Sequence, residues 1–148
     1  MIVYRITTKD LSAGLKASGH NARWNSKGKY VIYTSSSRAL ACLENIVHRS
    51  GEGLNNIFKV LIIEVPDKIK ISEIKIKKLK ADWHNFQNYN LTQKIGDEWI
   101  SNCETCVLKV PSVIIKEEYN FIINPAHTEF KLIKILKAED FGFDKRLK

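Results

Sequence analysis

Glu44 is the side chain in this sequence whose surroundings most invite chemistry. On a helical wheel at about 100° per residue, Ala39, Leu40, Leu43, Ile46 and Val47 share one apolar arc between Ser36 and His48, and Glu44 lies at its edge beside Leu40. A carboxylate there is partly desolvated, so it is either a paired structural group or a working acid, base or charge stabiliser. Arg23 stands in the turn-rich run Asn21-Ala22-Arg23-Trp24-Asn25. Its planar guanidinium is either solvated or clamps a phosphate or carboxylate through paired hydrogen bonds, a neighbouring aromatic fixing the plane. Tyr33, at the end of a strand pattern that leads into the Glu44 helix, is either core packing or a stacking surface for a planar ring. Ser112 follows Pro111 at a strand break, where its hydroxyl is placed to donate to a ligand.

Other chemistry-bearing patterns are weaker. Cys103-Glu104-Thr105-Cys106 is a C-x-x-C, but no second Cys or His pair stands at a zinc-finger spacing and the setting is not thioredoxin-like, so spectator thiols are expected. His20, His48 and His84 form no H-E-x-x-H, and His127 in its Pro-containing turn reads as structural. No metal is expected. Neither a G-x-G-x-x-G nor a Walker loop is present, and no Ser/His/Asp order suggests a nucleophilic triad.

The elements that must position these residues follow from hydrophobic periodicity and turn signals. Ile2 to Ile6 reads as a strand, Lys9 to Ala17 as a short helix, and Ser18 to Lys29 as a Gly- and Asn-bearing loop that holds Arg23 and Trp24. A strand at Tyr30 to Thr34 leads to Ser35-Ser36-Ser37, which can cap a helix from about Arg38 to Arg49. Phe58 to Val65 is a further strand, ended by Pro66-Asp67. Helix is expected again from about Leu91 to Ser101, with Asn90 as its cap. Short strands follow at Val107 to Val110 and Val113 to Lys116, then at Tyr119 to Ile123 and Phe130 to Leu136 around the turn Asn124-Pro125-Ala126-His127. With no repeat and no linker, the expectation is one α/β (α+β) domain over 1–148 with mixed central sheets.

Length and charge narrow the classes. The 148 residues carry a net charge of +8 and only 7 Gly and 3 Pro, which excludes disordered and collagen-like chains. Apolar runs are far too short for a membrane span, the N-terminus lacks a signal-peptide pattern, and three cysteines suit a reducing cytoplasm. Much of the excess charge is one strip from Lys68 to Lys80, with six lysines against Glu73. Ile69-Lys70-Ile71 and Ile74-Lys75-Ile76 read there as half-buried edge strands with isoleucines inward. The strip also supports an alternative function as a basic RNA-binding or RNA-directed module, although it lacks aromatics on which bases would stack.

Taken together, Tyr4-Arg5, Ala22-Arg23-Trp24-Asn25, Tyr33-Thr34-Ser35 and Ala39-Leu40-Ala41-Cys42-Leu43-Glu44 resemble the RES-domain family. The resemblance runs on through Asp82-Trp83, Ile95-Gly96-Asp97-Glu98-Trp99, Val110-Pro111-Ser112, Asn120, Asn124-Pro125-Ala126-His127 and Phe143-Asp144-Lys145-Arg146-Leu147. It implies a fold like that of ADP-ribosyltransferases and the toxin of a bacterial type II toxin–antitoxin pair. Such a toxin consumes NAD+ as substrate, by phosphorolysis, hydrolysis or ADP-ribosyl transfer, with no further cofactor. The implied partner is an Xre-like antitoxin, with room for a homodimer within the complex and contact with nucleic acid only through the antitoxin. By motif position the catalytic residues would be Arg23, Glu44 and Ser112, and the substrate-binding residues Arg5, Tyr33, Trp24 and Asn25. The family commonly has glycines before Arg-Trp-Asn where this chain has Asn21-Ala22, so a positive φ at Ala22 would be costly.

Overall fold

The structure, a computed structural model, describes residues 1–48 and 57–147. Its strands are β1 (Ile2–Thr8), β2 (Ile32–Ser35), β3 (Phe58–Glu64), β4 (Ile71–Glu73), β5 (Val107–Pro111), β6 (Tyr119–Ile123) and β7 (Lys134–Phe141), with helices α1 (Arg38–His48) and α2 (Tyr89–Asn102). The mixed sheet is a single one of seven strands in the order β4-β5-β6-β2-β1-β3-β7. Among the described residues only β4 and β5 run parallel, and every other pair is antiparallel.

Register divides the side chains between two faces. Val3 pairs with Ile63 and Arg5 with Leu61, while Tyr4 and Ile6 oppose Ile62 and Val60 and point the other way. On the first face Val3, Leu61, Ile63, Ile32, Phe121, Ile123 and Val107 pack into one core. The second face carries two smaller cores. Ile6, Phe58 and Val60 pack with Ala41 of α1, and Val31, Ile122, Leu108 and Val110 pack with Trp24, Trp83 and Trp99, the last from α2. Tyr33, Ser35 and Asn120 share this second face through the pairings Tyr33 with Ile122, Ser35 with Asn120 and Tyr4 with Ser35. They line the seam between α1 and the tryptophan cluster.

α1 begins as the serine cluster predicts. Ser37 Oγ accepts from the Leu40 N–H at 3.0 Å, the geometry of an N-cap. Leu40 is fully buried, which stabilises the helix by about 2 kcal/mol and fixes its rotation. Glu44, one turn on, is thereby aimed at the seam. Arg49, the expected helix end, lies outside the described residues.

Elsewhere local physics displaces the expected elements. Residues 9–17 form only a three-residue 3-10 turn, Lys9–Leu11; Gly14 costs a helix about 1 kcal/mol relative to Ala, and Leu11 is left exposed. The lysine strip holds one short strand, β4, at the sheet edge rather than two. Its two Ile-Lys-Ile patterns are out of phase, on odd and then even positions, so no single strand can bury both sets. Ile69 is buried, whereas Ile71 and Ile76 are exposed and 76–78 curls into a 3-10 turn. Residues 113–116 make no strand because Ser112 Oγ accepts from the N–H groups of Ile114 and Ile115, at 3.1 and 3.2 Å, and so competes with a ladder. Helix α2 starts at Tyr89, which places Asn90 inside it instead of at its cap. His127 Nδ1 accepts from the Glu129 N–H at 3.1 Å and caps a 3-10 turn over 128–132, delaying β7 to Lys134. No helix among the described residues is long and apolar enough to cross a membrane.

The Arg23 loop is held as a preformed unit. Ala22 and Asn25 exchange backbone hydrogen bonds of 2.9 and 3.3 Å around Arg23-Trp24. Among the described residues only Gly28 and Cys103 have positive φ, so the loop needs no left-handed backbone at Asn21 or Ala22 and the departure from glycine carries no such strain. Helix α2 grips this loop. Gln93 Nε2 donates to Asn21 Oδ1 at 2.7 Å and to the Ala22 carbonyl at 2.8 Å, and Asp97 accepts from Ser26 through Oδ1 at 3.0 Å and Oδ2 at 2.6 Å. A Cβ at position 96 would overlap the Trp24 carbonyl, so only glycine lets helix and loop approach this closely. Gly96→Ala is therefore expected to destabilise the protein by about 3 kcal/mol, read as a fall in Tm of roughly 6 to 12 °C by calorimetry. An unchanged Tm would show that the loop is not locked against α2.

Candidate functional site

At the seam, the Glu44 carboxylate is 20% exposed and held from both sides. Oε1 accepts from Asn120 Nδ2 at 2.6 Å and from Ser112 Oγ at 3.0 Å. His48 Nε2, one turn further along α1, lies 3.3 Å from Oε2. Asn120 is itself oriented, because its Oδ1 accepts from Ser35 Oγ at 2.7 Å, which leaves Nδ2 turned to Glu44. Burial alone would raise the Glu44 pKa, but His48, Asn120 and Ser112 favour the charged form and hold the carboxyl below its ordinary value. The site thus contains a carboxylate kept ionised in a partly dry place.

Arg23 supplies the opposite charge. Its Nη1 donates to the Trp83 carbonyl at 3.0 Å and Nη2 to the His84 carbonyl at 3.1 Å, while the guanidinium lies 4.9 Å from the Tyr89 ring centre and 5.9 Å from that of Trp83. Two carbonyls and two rings fix its plane, and N–H donors remain for a ligand. Burial lowers its pKa, while Tyr89, Glu44 and Tyr33 are near enough to act in the other direction. Arg23 and Glu44 therefore share one electrostatic environment. Tyr33 connects loop to sheet: its O–H donates to Asn25 Oδ1 at 2.7 Å and accepts from the Trp24 N–H at 3.2 Å. Burial pushes this phenol above the usual tyrosine range, so it stays neutral.

Of the residues expected to bind substrate, several serve the scaffold instead. Trp24 is only 3% exposed and belongs to the tryptophan core, so it offers no open ring. Asn25 is fully buried, its Nδ2 donating to the carbonyls of His20 and Lys29 at 2.8 and 3.1 Å, which organises the loop. Ser112 is likewise fully buried, and its single proton is donated to Glu44, so here it positions the carboxylate. Arg5 points to the first face and donates to the Lys16 carbonyl at 2.7 Å, away from Tyr4 and α1. The cluster gathered at the seam is Arg23, Tyr33 and Glu44, joined by three residues that sequence reasoning gave no role: Tyr89, His48 and Asn120. His48 was signalled by its four-residue spacing from Glu44 on one helix. For Tyr89 no sequence signal exists. Cys103 and Cys106 stand apart: Cys103 ends α2 with φ 51°, and burial pushes the Cys106 thiol up to about 12.

Comparison with known proteins places the chain in a family. The model of the RES domain matches residues 2–144. The Prs ADP-ribosylating toxin of Sphingobium sp. (strain YBL2) is 40% identical over 141 residues, covering 93% of this chain and 86% of that protein. Toxin Res of Photorhabdus laumondii subsp. laumondii is 35% identical over 152 residues, covering 99% and 97%, and Toxin Res of Yersinia enterocolitica is 32% identical over the full length of both. Among solved structures, the M. tuberculosis MbcT–MbcA toxin–antitoxin complex contains a chain that superposes with a TM-score of 0.77 at 14% identity, covering 95% of this chain and 84% of its own, a likeness of fold. On the family match and these relatives together, the chain belongs to the RES-domain family.

Proposed function

We propose that this protein is the toxin of a toxin–antitoxin pair and an enzyme that cleaves the nicotinamide–ribose bond of NAD+, lowering the NAD+ of the bacterial cytoplasm. The observation that carries this reading is the ionised Glu44 carboxylate, held by Asn120, Ser112 and His48 within Coulombic reach of Arg23. The names of the relatives, Toxin Res and an ADP-ribosylating toxin, support it. So does the likeness to a chain of a toxin–antitoxin complex, which supports an antitoxin partner, of Xre-like type by the family resemblance. The lysine strip brings no comparable constellation: it lies at the β4 edge of the sheet with its lysines exposed.

The chemistry suits so small a set of groups. Nicotinamide in NAD+ is a cationic leaving group that departs neutral, so no general acid is needed, unlike glycosidases that must protonate a departing oxygen. As the bond lengthens, positive charge grows on the ribose and Glu44, already fixed and ionised, stabilises it. Arg23 holds the diphosphate, its plane set by the Trp83 and His84 carbonyls and the Tyr89 ring. The half-buried Tyr33 ring borders the nicotinamide ribose. Phosphate, water or a protein side chain can then capture the ribose.

Nicotinamide release from NAD+ by purified protein tests the reading. Glu44→Gln and Arg23→Ala are each expected to slow release by about 10²- to 10³-fold with folding preserved; unchanged rates in both folded variants would end the assignment. Resolving products with and without inorganic phosphate separates ADP-ribose 1″-phosphate from ADP-ribose and from labelled protein. The pH dependence has a definite sign. Because the Glu44 pKa lies below its ordinary value, the wild-type rate is expected to hold until pH falls beneath the usual carboxylate range. Asn120→Ala removes one of the groups that lower that pKa and should move this acid limb to higher pH. A limb at the same pH in both proteins would mean that Glu44 is not the group being titrated.

A further inference from the structure

Resting on that reading of the site, we infer that the exposed ring of Phe86 is the stacking surface for the adenine of NAD+, so that the substrate is held on both sides of its diphosphate. With Glu44 at the nicotinamide ribose and Arg23 at the diphosphate, the adenosine continues past the guanidinium over whatever borders it. The rings beside Arg23 are those of Tyr89 and Trp83, 4.9 and 5.9 Å from the guanidinium. Trp83 is buried in the tryptophan core, and Tyr89 is half-buried beneath the guanidinium. The next ring is Phe86, whose centre lies 5.3 Å from that of Tyr89 and which is 82% exposed. It is the open face adjoining the cation.

A tied piece of backbone holds the ring there. Phe86 opens a 3-10 turn, Phe86–Asn88, that runs directly into α2. The Asp82 carbonyl accepts from Asn88 Nδ2 at 3.0 Å and from the Asn85 N–H at 2.9 Å, and the Asn85 carbonyl accepts from the Asn88 N–H at 3.1 Å. The same segment gives the Trp83 and His84 carbonyls to Arg23. One short stretch, 82–89, therefore sets both the plane of the cation and the place of the ring. By way of Tyr89, the Phe86 ring is no more than about 10 Å from the guanidinium. A purine joined through one ribose to a phosphate bonded to Arg23 can span that distance.

A lone exposed phenylalanine is ordinary on a protein surface; this one is singled out by its place beside a cation that keeps donors for a ligand. Among the described residues the other broadly exposed aromatic ring is Tyr30, 62% exposed, and it packs over Gly19 while the guanidinium lies over Tyr89 and Trp83. Stacking needs only a flat face on each partner, which every base has. Phe86 brings neither donor nor acceptor, so it holds a purine by its face and leaves the base edge unread.

Binding and kinetics test this together. Wild type, Phe86→Ala, Phe86→Leu and Phe86→Tyr are titrated with ADP by calorimetry, and nicotinamide release is followed from NAD+ and from nicotinamide mononucleotide, which lacks the adenosine. Phe86→Leu keeps an apolar side chain without the ring. Both ringless variants are expected to weaken ADP binding and raise the KM for NAD+ by about 10-fold with kcat unchanged, and Phe86→Tyr to restore both. Their kcat/KM for nicotinamide mononucleotide should match that of wild type. ADP affinity and NAD+ KM unchanged in both ringless variants would overturn the inference and leave Phe86 as a surface for a protein partner. A loss with nicotinamide mononucleotide as large as that with NAD+ would overturn it too, because the ring would then be acting through the fold. ADP held through Phe86 with no nicotinamide released overturns the proposed bond cleavage alone, whereas release from NAD+ that is indifferent to Phe86 overturns the stacking alone.

Discussion

Keeping one carboxylate charged where water is scarce is the constraint around which this fold is arranged. A desolvated glutamate otherwise takes up a proton, since burial disfavours its charged form. Here three donors act against that tendency, and each comes from a different stretch of chain. Ser112 follows β5, Asn120 is the second residue of β6, and His48 ends α1. The site therefore exists only when the sheet has assembled and α1 has docked on it. Ser35, which orients Asn120, adds β2 to the same requirement.

The cationic half of the site is built on a separate support. Arg23 lies on a loop closed by the Ala22–Asn25 backbone pair and clamped by Gln93, Gly96 and Asp97 of α2, while its guanidinium leans on the segment just before that helix. Glu44 belongs to the α1 side of the second sheet face and Arg23 to the tryptophan side. The two cores are joined by the rigid strands beneath them, and Tyr33 on β2 ties sheet to loop through Asn25 and the Trp24 N–H. Opposite charges are thus held near each other without being allowed to close into an ion pair: Arg23 spends donors on carbonyls, and Glu44 is satisfied by its own. That separation leaves both groups able to act on a third molecule.

Much of this was legible in the residues. The apolar arc of α1 located Glu44, the serine cluster gave the cap, and turn residues marked the Arg23 loop. What periodicity does not encode is where a side chain spends its hydrogen bonds. Ser112, Trp24 and Asn25 stand at motif positions that suggest ligand contact, yet each is buried and committed to the protein. The misplaced elements have the same origin. A serine hydroxyl that captures two amides removed the expected strand after Pro111, and a histidine ring that captures one delayed β7. Tyr89 entered the site by chain folding alone, because nothing in its neighbourhood marks it as lying under Arg23.

The burial of so many polar groups is consistent with a site built for a fixed geometry. Asn25, Thr34, Ser35, Thr92, Gln93, Ser112 and Asn124 are all buried, and each has partners. Among the described residues only Asn45 Oδ1 is a buried side-chain atom left unpaired, and it adjoins Glu44 in sequence. Replacing both partners of a buried hydrogen bond with apolar groups of the same shape is in general close to neutral, since a satisfied bond contributes only about 1 kcal/mol net, whereas removing one partner leaves the other buried and unpaired. Their value is directional. A network in which Ser35 sets Asn120 and Asn120 sets Glu44 limits the carboxylate to one orientation, and a preorganised charge need not reorganise when the ribose becomes cationic. The same logic accounts for the planar restraint on Arg23: a guanidinium already stacked on Tyr89 and bonded to two carbonyls loses little freedom on gripping a diphosphate.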